Sequence, residues 1–209
     1  MIYLLADPHF FHDKILEYCK RPFKDLEEMH KTLIDNFNRV VQPEDTVYWL
    51  GDVGFASPSK LKNILAQLKG KHLLIRGNHD KHGNSTYYNI GFAAVLESAE
   101  IRIGQKRITM AHYPRRSLKD FLCVTTRLIL KMLSRKRKWI HVKQIIKREW
   151  KQYDAHMGDW HLNGHVHDSW SKRGRNINVG VDVHNFTPVS LKTITQIIDK
   201  QSYVSAKQK

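Results

Sequence analysis

Five times in this chain a short run of apolar, β-branched or aromatic residues stops at a cluster of Asp, Asn, His and Gly. Ile2 to Ala6 runs into Asp7 and His9, Thr46 to Leu50 into Gly51-Asp52, and His72 to Ile75 into Gly77-Asn78-His79-Asp80. Arg107 to Ala111 runs into His112, and Trp160 to Leu162 into Gly164-His165-Val166-His167. Each run reads as a buried strand, and Asn176 to Val179 reads as another. Between them lie helical patterns. Asp25 caps a helix to about Val41, with Glu28 as capping-box partner and Leu26, Met29, Leu33, Phe37 and Val40 as its apolar stripe. Ser57-Pro58 opens a second helix, with Leu61, Ile64, Leu65 and Leu68 facing inward and Gly70 as its stop. Ser190 caps a last one from Leu191 to about Asp199. Strands alternating with helices predict an α/β (α+β) chain. Sheets of that kind bind ligands beyond the carboxyl ends of their strands, so the five clusters are expected to converge on one rim.

The residue types at that rim are those of a metal site. Asp7 and His9 stand two apart, as do His165 and His167, and an extended backbone would turn each pair to one face. Asp52 and Asn78 each follow a glycine, which permits a sharp turn or a close approach. Carboxylate, amide and imidazole donors without thiolate suit Mn²⁺, Fe or Zn²⁺, and Mg²⁺ less well. The two cysteines, Cys19 and Cys123, form no CxxC pair and read as reduced thiols. Taken alone, a D-x-H is commonly a loop and Gly77 to Asp80 an ordinary turn. The information lies in the order D-x-H, GD, GNHD, H, GHxH.

That ordered set resembles the calcineurin-like metallophosphoesterase superfamily from Met1 to about Val183. The resemblance implies a β-sandwich flanked by helices and two divalent metal ions about 3.5–4 Å apart. It assigns Asp7, His9, Asp52 and His167 to one ion, with Asp52 bridging, and Asn78, His112 and His165 to the other. It implies a bridging hydroxide as nucleophile on phosphorus and His79 as general acid to, or stabiliser of, the leaving oxygen. Manganese is the favoured ion, with Fe, Zn, Ni and Mg as alternatives. Asp80 is expected either to orient a neighbouring histidine or to cap a turn. Gly51-Asp52-Val53-Gly54-Phe55 departs from the GDxxDRG of Ser/Thr protein phosphatases, and Asp80 stands where those enzymes have Glu. The D-x-H-F-x-H of Asp7 to His12 and the Cys-x-Arg-Pro-Phe of Cys19 to Phe23 are similar to small bacterial and phage phosphoesterases. Arg21 and Arg76 read as surface ion-pair residues, with phosphate clamping as the alternative. His12 reads as an exposed helix-start residue, with substrate contact as its alternative. His161, His184 and Asp182 are expected in supporting or packing positions.

Charge narrows the partners. The net charge is +15, and Arg115 to Lys151 carries +11 of it, with 13 Lys and Arg against Asp120 and Glu149. Such a balance favours anionic partners, nucleotides, DNA or RNA among them. The segment reads as a basic helical insertion over 115–155 within one domain spanning 1–209. Arg135, Lys136, Arg137 and Lys138 form its cationic tip, read as a packed cap with a solvated face, a track for backbone phosphates, or a membrane-surface or protein-partner face. No apolar run approaches the length of a membrane span. Met1 to Ala6 is too short for a signal peptide, which predicts a cytoplasmic protein of a bacterial or phage-infected cell. The expected activity is hydrolysis of phosphoesters. The alternatives are a nucleic-acid-binding module on the same scaffold without turnover, and a scaffold that uses metal only to fold.

Overall fold

A computed structural model describes residues 1–115 and 160–207. The expected insertion over 115–155 and its tip, Arg135 to Lys138, lie outside the described residues apart from Arg115. In chain order the elements are β1 (Ile2–Leu5), α1 (Lys14–Tyr18), α2 (Leu26–Val40), β2 (Thr46–Trp49), α3 (Pro58–Leu65), β3 (Lys71–Ile75), α4 (Asn84–Ile90), β4 (Ala94–Leu96), β5 (Ala99–Ile103), β6 (Lys106–Met110), β7 (Trp160–Asn163), β8 (Lys172–Arg173), β9 (Asn176–Asn178), a 3₁₀ turn at Val181–Val183, β10 (Val189–Ser190) and α5 (Leu191–Lys207).

They form two five-stranded sheets, ordered β10-β1-β2-β3-β4 and β5-β6-β7-β9-β8. β1 to β4 run parallel, each crossover carrying one or two helices, and β10 joins β1 antiparallel. In the second sheet β6, β7 and β9 are parallel. The result is a mixed α/β architecture of two sheets flanked by helices, the metallophosphoesterase fold that the motif order implied.

The continuous apolar runs follow from burial on both faces. In β1 and β2, Tyr3, Leu5, Val47 and Trp49 pack against Met29, Leu33 and Phe37 of α2 and Leu61 and Leu65 of α3. The alternate residues Leu4, Ala6 and Leu50 face the other way, onto Ile108, Met110, Leu162, Ile177 and, from α5, Ile194 and Ile198. At α2, Asp25 accepts from Glu28 N–H at 2.9 Å. The Glu28 carboxylate accepts from Lys24 N–H at 2.7 Å, one residue before the expected partner. Pro58 opens α3 as expected, but the helix ends at Leu65 rather than near Gly70. Leu65 and Ile64 carbonyls accept from Leu68 and Gln67 N–H in a tightened last turn, and Gly70, at φ +94°, instead turns the chain into β3. The last helix runs on past Asp199 to Lys207. Among the described residues no helix is long and apolar enough to cross a membrane.

Candidate metal centre

β1, β2 and β3 end side by side in one sheet, and β6 and β7 end side by side in the other. Their following residues meet at a common rim. The chain turns there in an unexpected way. Asp7, His9, Asp52, His165 and His167 all sit at φ between +47° and +69°. The paired candidates are therefore not brought to one face by an extended backbone. They occupy left-handed turns that side chains with a Cβ adopt reluctantly. Such turns persist where surrounding bonds over-determine them. Here Asp7, His9 and Phe10 N–H donate to the carbonyls of Gly51, Asp52 and Val53 at 3.0–3.2 Å, lacing the first loop to the second.

Glycine makes the lacing feasible. A Cβ on Gly51, itself at φ +90°, would lie 2.5 Å from Gly77 Cα and 2.6 Å from His112 Nδ1, and one on Gly164 would lie 2.6 Å from Asp7 Oδ2. Asp80 closes the joint. Its carboxylate accepts from Asp52 N–H at 2.8 Å, Val53 N–H at 3.0 Å and Gly77 N–H at 2.7 Å. Asp80 thus caps its own turn through Gly77 N–H, one of the two expected roles, and in addition ties that loop to the Asp52 loop across the rim.

Each of the two central carboxylates has one oxygen held by a neighbouring loop and one directed inward. Asp7 Oδ2 accepts from His165 N–H at 2.8 Å, and Asp52 Oδ1 accepts from His79 N–H at 2.9 Å. Asp52 Oδ2 lies 3.7 Å from His9 Nε2, 3.5 Å from His112 Nε2 and 4.0 Å from His79 Nε2. Asp7, His9 and His167 bring donor atoms within 4.8 Å of one another, and so do Asp7, Asp52 and His112. On the second side, His112 Nδ1–H donates to the Leu50 carbonyl at 2.8 Å, which leaves Nε2 with its lone pair. That atom faces Asn78 Oδ1 at 2.9 Å and His165 Nδ1 at 3.2 Å.

This donor set fits divalent cations on physical grounds. Asp7 Oδ1 and both ring nitrogens of His9 are buried without a hydrogen-bond partner, a costly arrangement unless a cation satisfies them. Three lone pairs converging near His112 Nε2 need the same. Burial drives Asp7 up to about 8, with the Asp52 charge adding to the rise and His167 opposing it. Burial also drives His9 down to about 2 and His112 and His165 down to about 4, so these imidazoles stay neutral and ligand-competent. Burial works against the charge on His167, but its hydrogen bonds to Asp182 and Cys19 and the Asp7 charge outweigh it and raise that ring to about 10. Cys19 is closer than its sequence context indicated, since its sulfur lies within 4.8 Å of donor atoms of His167 and Asp182.

Other sequence candidates fall into place around this cluster. His79 is partly exposed at the mouth, with its ring centroid 4.8 Å from that of Phe55. His12 stacks on Phe55 at 4.2 Å and an interplanar angle of 22°. Neither arginine is a surface ion pair or a free clamp. Arg21 is buried against Asp182. Arg76 donates to Asn84 Oδ1 and to the carbonyls of Asp80 and His82, fastening the loop after β3. His161 is held by Thr109 and the Tyr113 carbonyl, and His184 by the Asn178 carbonyl. Asp182 Oδ2 lies 3.1 Å from His167 Nδ1.

Two helix-flanked sheets with a carboxylate and imidazole cluster at their shared rim define a metal-dependent hydrolase scaffold. The calcineurin-like phosphoesterase model matches residues 1–184, and the chain belongs to that family. Membership places it among the metal-dependent phosphoesterases, hydrolases of phosphoester bonds. It is 31% identical over 212 aligned residues to a protein of Methanocaldococcus jannaschii described as uncharacterized, across 97% of this chain and 94% of that one. It is 28% identical over 127 residues to the gene 66 protein of Mycobacterium phage L5, across 52% of this chain and 61% of that one. A protein of unknown function from Aquifex aeolicus shares the fold, with a TM-score of 0.62 at 23% identity over 94% of this chain and 98% of that one.

Proposed function

We propose that this chain hydrolyses phosphoester bonds of nucleotides or nucleic acids with two divalent cations, manganese favoured. Asp7, His9, Asp52 and His167 hold one, and Asn78, His112 and His165, with Asp52 shared, hold the other. The observation that carries this is the position of Asp52 Oδ2, between His9 Nε2 at 3.7 Å and His112 Nε2 at 3.5 Å. When bound, the ions supply an activated water and neutralise the phosphoryl oxygens. The remaining work falls to side chains. Asn78 contributes a neutral oxygen, so the site keeps a net positive field for an anionic substrate. The Leu50 carbonyl fixes the His112 tautomer, and Asp182 fixes that of His167. His79, at the open side of Asp52, gives its proton to the leaving oxygen. The nucleic-acid preference is supported by the +11 charge between Arg115 and Lys151. In this reading 115–155 is an insertion in a single domain over 1–209, and Arg135 to Lys138 track phosphates.

The test is hydrolysis of a chromogenic phosphodiester and its monoester by chelator-stripped protein given Mn²⁺, Mg²⁺, Zn²⁺ or Ni²⁺ separately. Turnover should return with metal. His79→Ala should lower kcat by about 10²–10⁴ with metal content unchanged. Folded protein that binds two ions yet turns over neither ester under any metal would replace this reading with a nucleic-acid-binding module.

A further inference from the structure

Arg21 is only 5% exposed, yet it carries a full positive charge beside the cluster. Its fork is used up. Nε donates to Asp182 Oδ1 at 2.7 Å and Nη2 to Asp182 Oδ2 at 3.0 Å. Nη2 also donates to the Asp7 carbonyl at 2.7 Å, and Nη1 to the Pro8 carbonyl at 2.9 Å. The remaining contact of Nη1 is to Met29 Sδ at 3.3 Å, on α2. One guanidinium therefore grips both ends of one half of the centre. It holds the carbonyls of the left-handed Asp7 to His9 turn. Through Asp182, whose Oδ2 lies 3.1 Å from His167 Nδ1, it also holds the ring from the distant fifth cluster. The other half is positioned by different groups, the Leu50 carbonyl on His112 and Asp80 on the Gly77-Asn78 loop.

We propose that Arg21 is a positioning residue that governs occupancy of the Asp7, His9 and His167 place alone. It leaves the place beside Asn78, His112 and His165 untouched. The inference rests on the two-ion reading. Arg21 does not touch phosphate in it, because every arm of the fork already faces a protein atom. Lysine cannot take over, since a single ammonium cannot reproduce the planar fork that reaches a carboxylate and two carbonyls at once.

The experiment is a titration of the full chain with Mn²⁺, followed by metal analysis and electron paramagnetic resonance. The unaltered chain should take up two ions and show the spectrum of a coupled pair. In Arg21→Lys one affinity should fall by about 10–100-fold while the other stays within about twofold. At intermediate Mn²⁺ the coupled spectrum should give way to that of an isolated ion. Should Arg21→Lys fail to fold, Asp182→Asn carries the same expectation, because it keeps the shape and removes the carboxylate facing His167. Two affinities falling together, or neither falling, would overturn the inference and leave Arg21 as a packing residue. Uptake of one ion by the unaltered chain would overturn the two-ion reading. A single ion that Arg21→Lys weakens would still support the role of Arg21, and one that it leaves unchanged would overturn that too.

Discussion

Asp80 is the residue whose chemistry is most exposed to a single-atom change. Three N–H groups from two loops converge on its carboxylate, and burial pushes its carboxyl above the usual range, against those bonds. Asparagine has the same shape but only one acceptor oxygen. Asp80→Asn should therefore strand at least one buried N–H group, the one its NH₂ now faces. The expected cost is about 1–3 kcal/mol in chemical denaturation. The loops it joins carry Asp52 and Asn78, so metal affinity should drop together with stability. Unchanged stability and unchanged metal content would show that water can replace this clamp. The left-handed turns belong to the same scale. Five of the residues singled out from sequence order adopt positive φ, and although Asp and His enter that region more readily than most side chains, their identity alone does not announce it. The residue identities at the rim were legible. The backbone shape that aims them depends on lacing between loops some 45 residues apart, Asp7 to Gly51.

At the scale of elements, β1, β2, β3, β6 and β7 could be read from the chain because each places apolar residues in the core and stops at a polar cluster, β1 and β7 being buried along nearly their whole length and β2 and β6 on alternate residues. α4 could not. Its residues Asn84–Ile90 are weak helix formers, and only Tyr87 and Ile90 reach the core. The Arg21 network was hidden for another reason, since its carboxylate partner lies 161 residues away. The joint between β3 and the helix layer yields a pH prediction. His72 is buried among Trp49, Phe37 and Phe92, and its Nδ1 accepts from Trp49 Nε1–H at 3.2 Å. Burial holds its pKa below the ordinary value, with only the Leu68 carbonyl opposing. The unfolded chain then takes up a proton near pH 6.5 that the folded chain refuses. Stability is unaffected by this group above that pH and falls below it, by at most about 1.4 kcal/mol per pH unit. Melting measured from about pH 7 to about pH 5 should therefore fall less steeply for His72→Gln, which keeps an acceptor and cannot titrate. Equal slopes would mean that other groups carry the acid sensitivity.

For the whole molecule, the decisive feature is that neither sheet owns the site. Asp7, Asp52 and Asn78 follow strands of the first sheet, and His112, His165 and His167 follow strands of the second. Between the sheets lies the apolar layer of Leu4, Leu50, Ile75, Ile108 and Leu162, all fully buried. That layer presses the sheets together without fixing how their rims align, since apolar contact is not directional. Direction comes from a few polar bonds at the rim, such as His165 N–H to Asp7 Oδ2 and His112 Nδ1–H to the Leu50 carbonyl. Cations held by donors from both sheets would add to them. Divalent metal should accordingly stabilise the fold as a unit, by about 2.7 kcal/mol at a hundredfold excess over Kd. A chelator should remove that gain. Calorimetry should show one transition that moves with Mn²⁺ concentration, and hydrogen exchange should slow at the ends of β1 and β2 and of β6 and β7 alike. Protection confined to one sheet would place the ions within a single rim and would separate metal binding from the alignment of the two sheets.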